Sequence, residues 1–160
     1  MAINPITSDF VSGAVLTAAQ MNRLPRGVLG YATSSTSYTL TTSPVIATGM
    51  TLTLALASAR FLKITYIEPQ AGTPNVAGGF TTTTIKLTSA AGTQLSQGVI
   101  QTPSAASIGG SVINSYINIF SASTYTFVGC GATSSVSGAP VFTRSATNLA
   151  MLLIEDLGPG

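Results

Sequence analysis

Short runs in which apolar and polar residues alternate one for one leave this chain few choices of fold. "TLTLAL" sets Thr51, Thr53 and Ala55 against Leu52, Leu54 and Leu56, the period of a strand with one buried face. "RFLKITYIE" sets Leu62, Ile64 and Tyr66 against Phe61, Lys63, Thr65 and Ile67, and Pro69 is expected to end that strand. Tyr38 and Leu40 share a face in "SYTLTT", and Ile85 and Leu87 are expected to point inward in "TTTTIKLT". In "SVINSYINIF" one face carries Ile113, Ile117 and Ile119, while "STYTFVGC" brings Tyr125 and Phe127 together. "NLAMLLIEDL" is apolar on both faces and is expected to be a central strand. "PQAGTPNVAGGF" reads as a loop, "SAAGTQLSQG" as a turn, "GVIQTPSAASIGGS" as a connection, and "GATSSVSGAPVFT" as a loop or short edge strand. Seven or eight short strands between turn clusters predict an all-β chain, a β-sandwich with the jelly roll as its leading variant.

The front of the chain breaks this rule. In "LTAAQMNRLPRGVLGYA", Thr17 and Gln20 have capping-box spacing, so a helix is expected from Ala18, stopped by Pro25 and released at Gly27. About two turns long, it would be unstable alone in water and needs a surface to lie on. Upstream, Ile3, Ile6, Phe10, Val11, Val15 and Leu16 are apolar pegs on an extended segment. The expected organisation is a docking arm with a short helix over residues 1–30 and a sandwich over residues 31–160. Ile6, Phe10, Val11, Leu16, Met21, Arg23, Leu24 and Arg26 are the candidate docking residues, seated either on their own domain or on a neighbouring subunit. Arg23 and Arg26 read either as solvated charges or as groups meeting acids or free carbonyls on a partner.

Charged residues make up only 6% of the 160 residues, against roughly 25% in ordinary soluble domains. Thr, Ser, Asn and Gln must then wet the surface, and little repulsion keeps copies apart, so self-association is expected. At 45% hydrophobic the chain is too apolar for disorder, while its longest apolar runs, such as "LAMLLI", are too short to span a membrane. The net charge of +2 comes from scattered bases, with no cluster to track a nucleic-acid backbone. Histidine is absent, which removes His-based triads and the commonest metal ligand. One cysteine and four carboxylates cannot assemble a zinc set. Cys130, between two glycines, reads as a small buried residue. Glu155 and Asp156 are adjacent and point to opposite faces of a strand, so a glycosidase-like carboxylate pair would need the fold to unite residues such as Glu68 and Asp9. No glycine motif has the context of a phosphate loop. No catalytic, cofactor or metal site is expected, and "MAINPITSDF" carries no export signal, so the product is expected to stay in the cytoplasm where it is made.

"DFVSGAVLTAAQMNRLPRGVLGYA", "ARFLKITY", "STYTFVG" and "TNLAMLLIEDLGPG", in that order, resemble small virion proteins of tailed bacteriophages, especially phages of actinobacteria. The likeness runs from Asp9 to Pro159, with "LTAAQMN" and "IEDLGP" as its more telling elements. It implies a homotrimeric β-sandwich in a virion, most readily a head decoration protein that binds the major capsid protein. The alternatives are a minor tail or fibre protein bound to tail proteins, or a carbohydrate-binding adhesion module using Tyr38, Tyr66, Tyr116 and Tyr125.

Overall fold

The computed structural model describes Val15, Met21 and residues 24–160. Ten strands follow in order: β1 (Gly27–Ser34), β2 (Tyr38–Thr39), β3 (Val45–Leu56), β4 (Arg60–Gly72), β5 (Phe80–Leu87), β6 (Gln94–Gln101), β7 (Gly109–Phe120), β8 (Ser123–Thr133), β9 (Val141–Phe142) and β10 (Ala150–Pro159). All pairings are antiparallel. The first sheet runs β1, β10, β4, β7, with the short β9 and β2 continuing beside the far end of β4. The second runs β3, β8, β5, β6. Counting only the eight long strands in chain order, the sheets are 1-8-3-6 and 2-7-4-5. That is the order of a jelly roll, in which each sheet draws strands from both halves of the chain.

The alternation in the sequence explains the core. Leu62, Ile64 and Tyr66 of β4 and Leu152 and Ile154 of β10 point inward and are fully buried against Met50, Ile85 and Phe127 from the second sheet. Phe120 stands edge-on to Phe127 at 5.3 Å and to Tyr125 at 5.1 Å between ring centres, the preferred geometry for such pairs. β10 is central, as its two apolar faces predict, flanked by β1 and β4.

Two expectations need correction. Pro69 does not end its strand: β4 continues to Gly72, and the ladder is irregular between Glu68 and Ala71, which accommodates a residue with no N–H to donate. Residues 94–101 are not turn and connection but β6, an edge strand whose Gln and Ser side chains weaken the alternation. The expected helix from Ala18 and the candidate residues Ile6, Phe10, Val11, Leu16 and Arg23 lie outside the described residues.

Candidate functional site

Among the described residues every side-chain carboxylate is paired with a base. On β4, Glu68 faces inward and forms a fully buried two-point pair with Arg144: the guanidinium Nε donates to Oε1 at 3.0 Å and a terminal nitrogen to Oε2 at 2.6 Å. Arg144 also donates to the carbonyls of Thr48 and Thr36, and Tyr66 donates its hydroxyl to Glu68 at 2.8 Å. Burial and the Glu68 charge push the Tyr66 phenol well above its ordinary pKa, and Tyr38 moves the same way for the same reasons. Burial alone would lower the Arg144 pKa, but its bond to Glu68 and that carboxylate's charge raise it overall. At the other end of the sandwich Arg60 donates Nε to Asp156 at 2.8 Å, and Asp156 accepts the amide of Gly158 at 2.8 Å.

The third described carboxylate, Glu155, meets Lys63 at 3.1 Å on the outer face of the first sheet. Glu68 and Asp156 are separated by the six residue steps along β4 from Leu62, which pairs with Asp156, to Glu68. That is about 20 Å, beyond the roughly 5–9.5 Å at which two carboxylates share a glycosidic bond. The recess bounded by Gln70, Thr73, Ile108, Gly138 and Val141 is open and has no titratable side chain in its lining. Among the described residues no three His, Cys, Asp or Glu side chains group to hold a metal ion.

The two outer faces of the sandwich differ in chemistry. The second sheet turns Thr51, Thr53, Thr82, Thr124, Thr126, Gln94 and Gln97 outward, together with the exposed Val99 and Ile46, and Thr53 and Thr126 share a hydrogen bond at 2.9 Å. The threonine and glutamine side chains suit water. The first sheet turns out a different set, fixed by register: Tyr31 on β1 opposite Leu153 on β10, Leu153 opposite Thr65 on β4, and Thr65 opposite Ser115 on β7. One step along, Met151, Ile67 and Ile113 lie in a row, and on the other side Lys63 neighbours Ile117 and Phe61 neighbours Ile119. Tyr31 and Ile113 are each 65% exposed and Ile117 49%. This four-strand face covers roughly 20 by 20 Å, and its exposed apolar side chains lie among Thr33, Thr65, Ser115 and the Lys63–Glu155 pair.

Of the predicted docking residues, Met21 and Arg26 are exposed and Leu24 is half-buried. The Leu24 carbonyl accepts a hydrogen bond from Arg60 at 2.8 Å, so the chain is tied to the sandwich where the arm begins. The tyrosines named for sugar contact face the core instead: Tyr66 is fully buried, Tyr38 stands edge-on to Phe142, and Tyr116 and Tyr125 pack against Phe120. Tyr31 is an exposed ring, and its place opposite a run of leucine and methionine is visible only once β1 and β10 are paired.

No family model matches this sequence, and no curated protein matches it. Among solved structures, the chain is similar to the infectious bursal disease virus VP2 subviral particle, at 17% identity and a TM-score of 0.24 over 85% of this chain. It is similar in the same degree to the structure of the Gt strain of that virus, at 18% identity and a TM-score of 0.24. The matched region is 42% of the length of those chains.

Proposed function

We propose that this chain is a non-enzymatic structural protein of a virus particle, a trimeric decoration protein on the head of a tailed phage, attached through residues 1–23. The observation that carries the reading is the difference between the two sheet faces: one is mostly threonine and glutamine beside Val99 and Ile46, and the other is richer in isoleucine, leucine, methionine and tyrosine around Thr65, Ser115 and the Lys63–Glu155 pair. A domain with one outer face richer in exposed apolar side chains than the other suits an assembly, the more apolar side covered and the more polar side outward. Among the described residues the carboxylates Glu68, Glu155 and Asp156 are each paired with a base, which is poor acid–base machinery for a substrate. Modest interfaces repeated over a shell become firm by multivalency, which suits a small protein present in many copies.

The test is attachment. A variant lacking residues 1–23 keeps Leu24, the residue held by Arg60, and is expected to fold with an unchanged circular-dichroism spectrum while failing to co-sediment with particles. Full binding by that variant would overturn the attachment role. Copy number places the protein: hundreds per particle for the head, about a dozen or fewer for the tail.

A further inference from the structure

We infer that the outer face of the β1–β10–β4–β7 sheet is where three copies of this chain meet, each turning that face toward a shared threefold axis. The inference rests on the trimeric reading above and names the surface that makes the trimer.

Width is the first argument. Four strands at about 4.8 Å spacing give a face about 19 Å across, and an equilateral triangle of that side has its centre about 5.5 Å from each edge. Packed sheets lie roughly 10 Å apart, so each contributes a side-chain layer about 5 Å deep. Three such faces therefore close into a prism whose axis is filled by side chains. A face of two strands would be overfull at the axis, and one of six strands would leave it hollow. Leu153 and Ile67, on the central strands β10 and β4, point toward the axis. Tyr31 on β1 and Ile113 on β7 lie at the corners, where β1 of one copy comes beside β7 of the next.

Charge is the second argument. The centre of the face carries one base and one acid, Lys63 and Glu155, already joined to each other at 3.1 Å. The hydroxyls of Thr65 and Ser115 are likewise matched within the face, at 3.2 Å. A partner with a strong field of either sign finds nothing complementary here, whereas identical neutral faces meet without repulsion. The Lys63–Glu155 pair also gives the axis a ring of alternating charge that fixes register, the best-attested use of ionic groups inside an interface.

The experiment is sedimentation equilibrium on the full chain and on Ile117→Lys, with circular dichroism to check folding. The full chain is expected as a trimer and Ile117→Lys as a folded monomer, its dissociation concentration raised more than about tenfold. A variant that stays trimeric overturns the face while leaving the virion reading intact. A full chain that is monomeric or dimeric overturns the threefold arrangement; if that chain still binds particles, the attachment reading survives, and a monomer in which Ile117 is shielded from solvent assigns the face to residues 1–23 instead. Should Ile117→Lys fail to fold, Leu153→Cys decides: a three-armed maleimide is expected to yield covalent trimers, and single adducts alone would overturn the proposal. The native Cys130 is buried and stays silent in that reaction.

Discussion

Arg144 closes one end of the core by three contacts at once: the two-point pair with Glu68, the carbonyls of Thr48 and Thr36, and the rings of Tyr38 and Phe142 beneath its guanidinium at 5.6 and 6.0 Å. Removing one partner strands the other charge in the interior, so Arg144→Met is expected to cost about 3–5 kcal/mol in urea unfolding. Replacing both, as Arg144→Met with Glu68→Leu, should recover much of that loss, and a double variant no better than the single would show that the pair has net worth of its own. Alkali gives a second check. Burial pushes the Cys130 thiol from 9.0 up to about 11, and Tyr38 and Tyr66 are raised as well. These groups keep their protons in the folded chain after the unfolded chain has released them. Their stabilising contribution is therefore full below about pH 9 and declines as pH rises toward 11, which pH-dependent denaturation would record. Native Cys130 should resist a thiol reagent at pH 8 and react once urea unfolds the chain. The burial of Cys130 was legible from its glycine neighbours and the absence of any histidine. The partner of Glu68 was not, because Arg144 lies 76 residues away and only the topology brings them together.

The edges of the two sheets meet where β6 crosses β7. There Asn114 reaches inward from β7 and donates to the carbonyl and the hydroxyl of Thr83 on β5, both at 2.7 Å. Gly98 leaves room for it: a Cβ at that position would stand 2.2 Å from the Asn114 amide oxygen and 2.5 Å from Val112. Gly98→Ala is thus expected to destabilise the fold by about 1–3 kcal/mol through overpacking, and an unchanged unfolding midpoint would show that the edge is loose. β6 escaped the sequence reading for the reason Gly98 is there: a glycine amid glutamine and serine imitates a turn. By contrast β3 and β4 were plain from their alternation and β7 and β10 from long runs rich in isoleucine and leucine, in strands of 10 residues or more. For β7 the pattern identified Ile113, Ile117 and Ile119 as one face but not its direction. Both faces of that strand are apolar, and only the position of β6 shows that the inner one carries Val112, Asn114 and Phe120.

Across the whole molecule, low charge shapes behaviour in solution. An assembly held by aliphatic and aromatic contacts, with its ionic groups paired inside each copy, should dissociate at nearly the same concentration in about 50 mM and about 500 mM salt. A steep salt dependence would assign the contact to charged groups such as the exposed Arg26 instead. The sandwich class was accessible from strand count and turn spacing, with the jelly roll as its leading variant, whereas the strand order and the more apolar face were not, because that face is assembled from four strands distant in sequence. The bond from Arg60 to the Leu24 carbonyl carries a mechanical corollary. Were residues 1–23 to hold a particle as proposed, tension along them would arrive at a guanidinium rooted in the middle of a sheet and braced by Asp156, so the pull would be spread through the body of the protein before it could peel the outermost strand away.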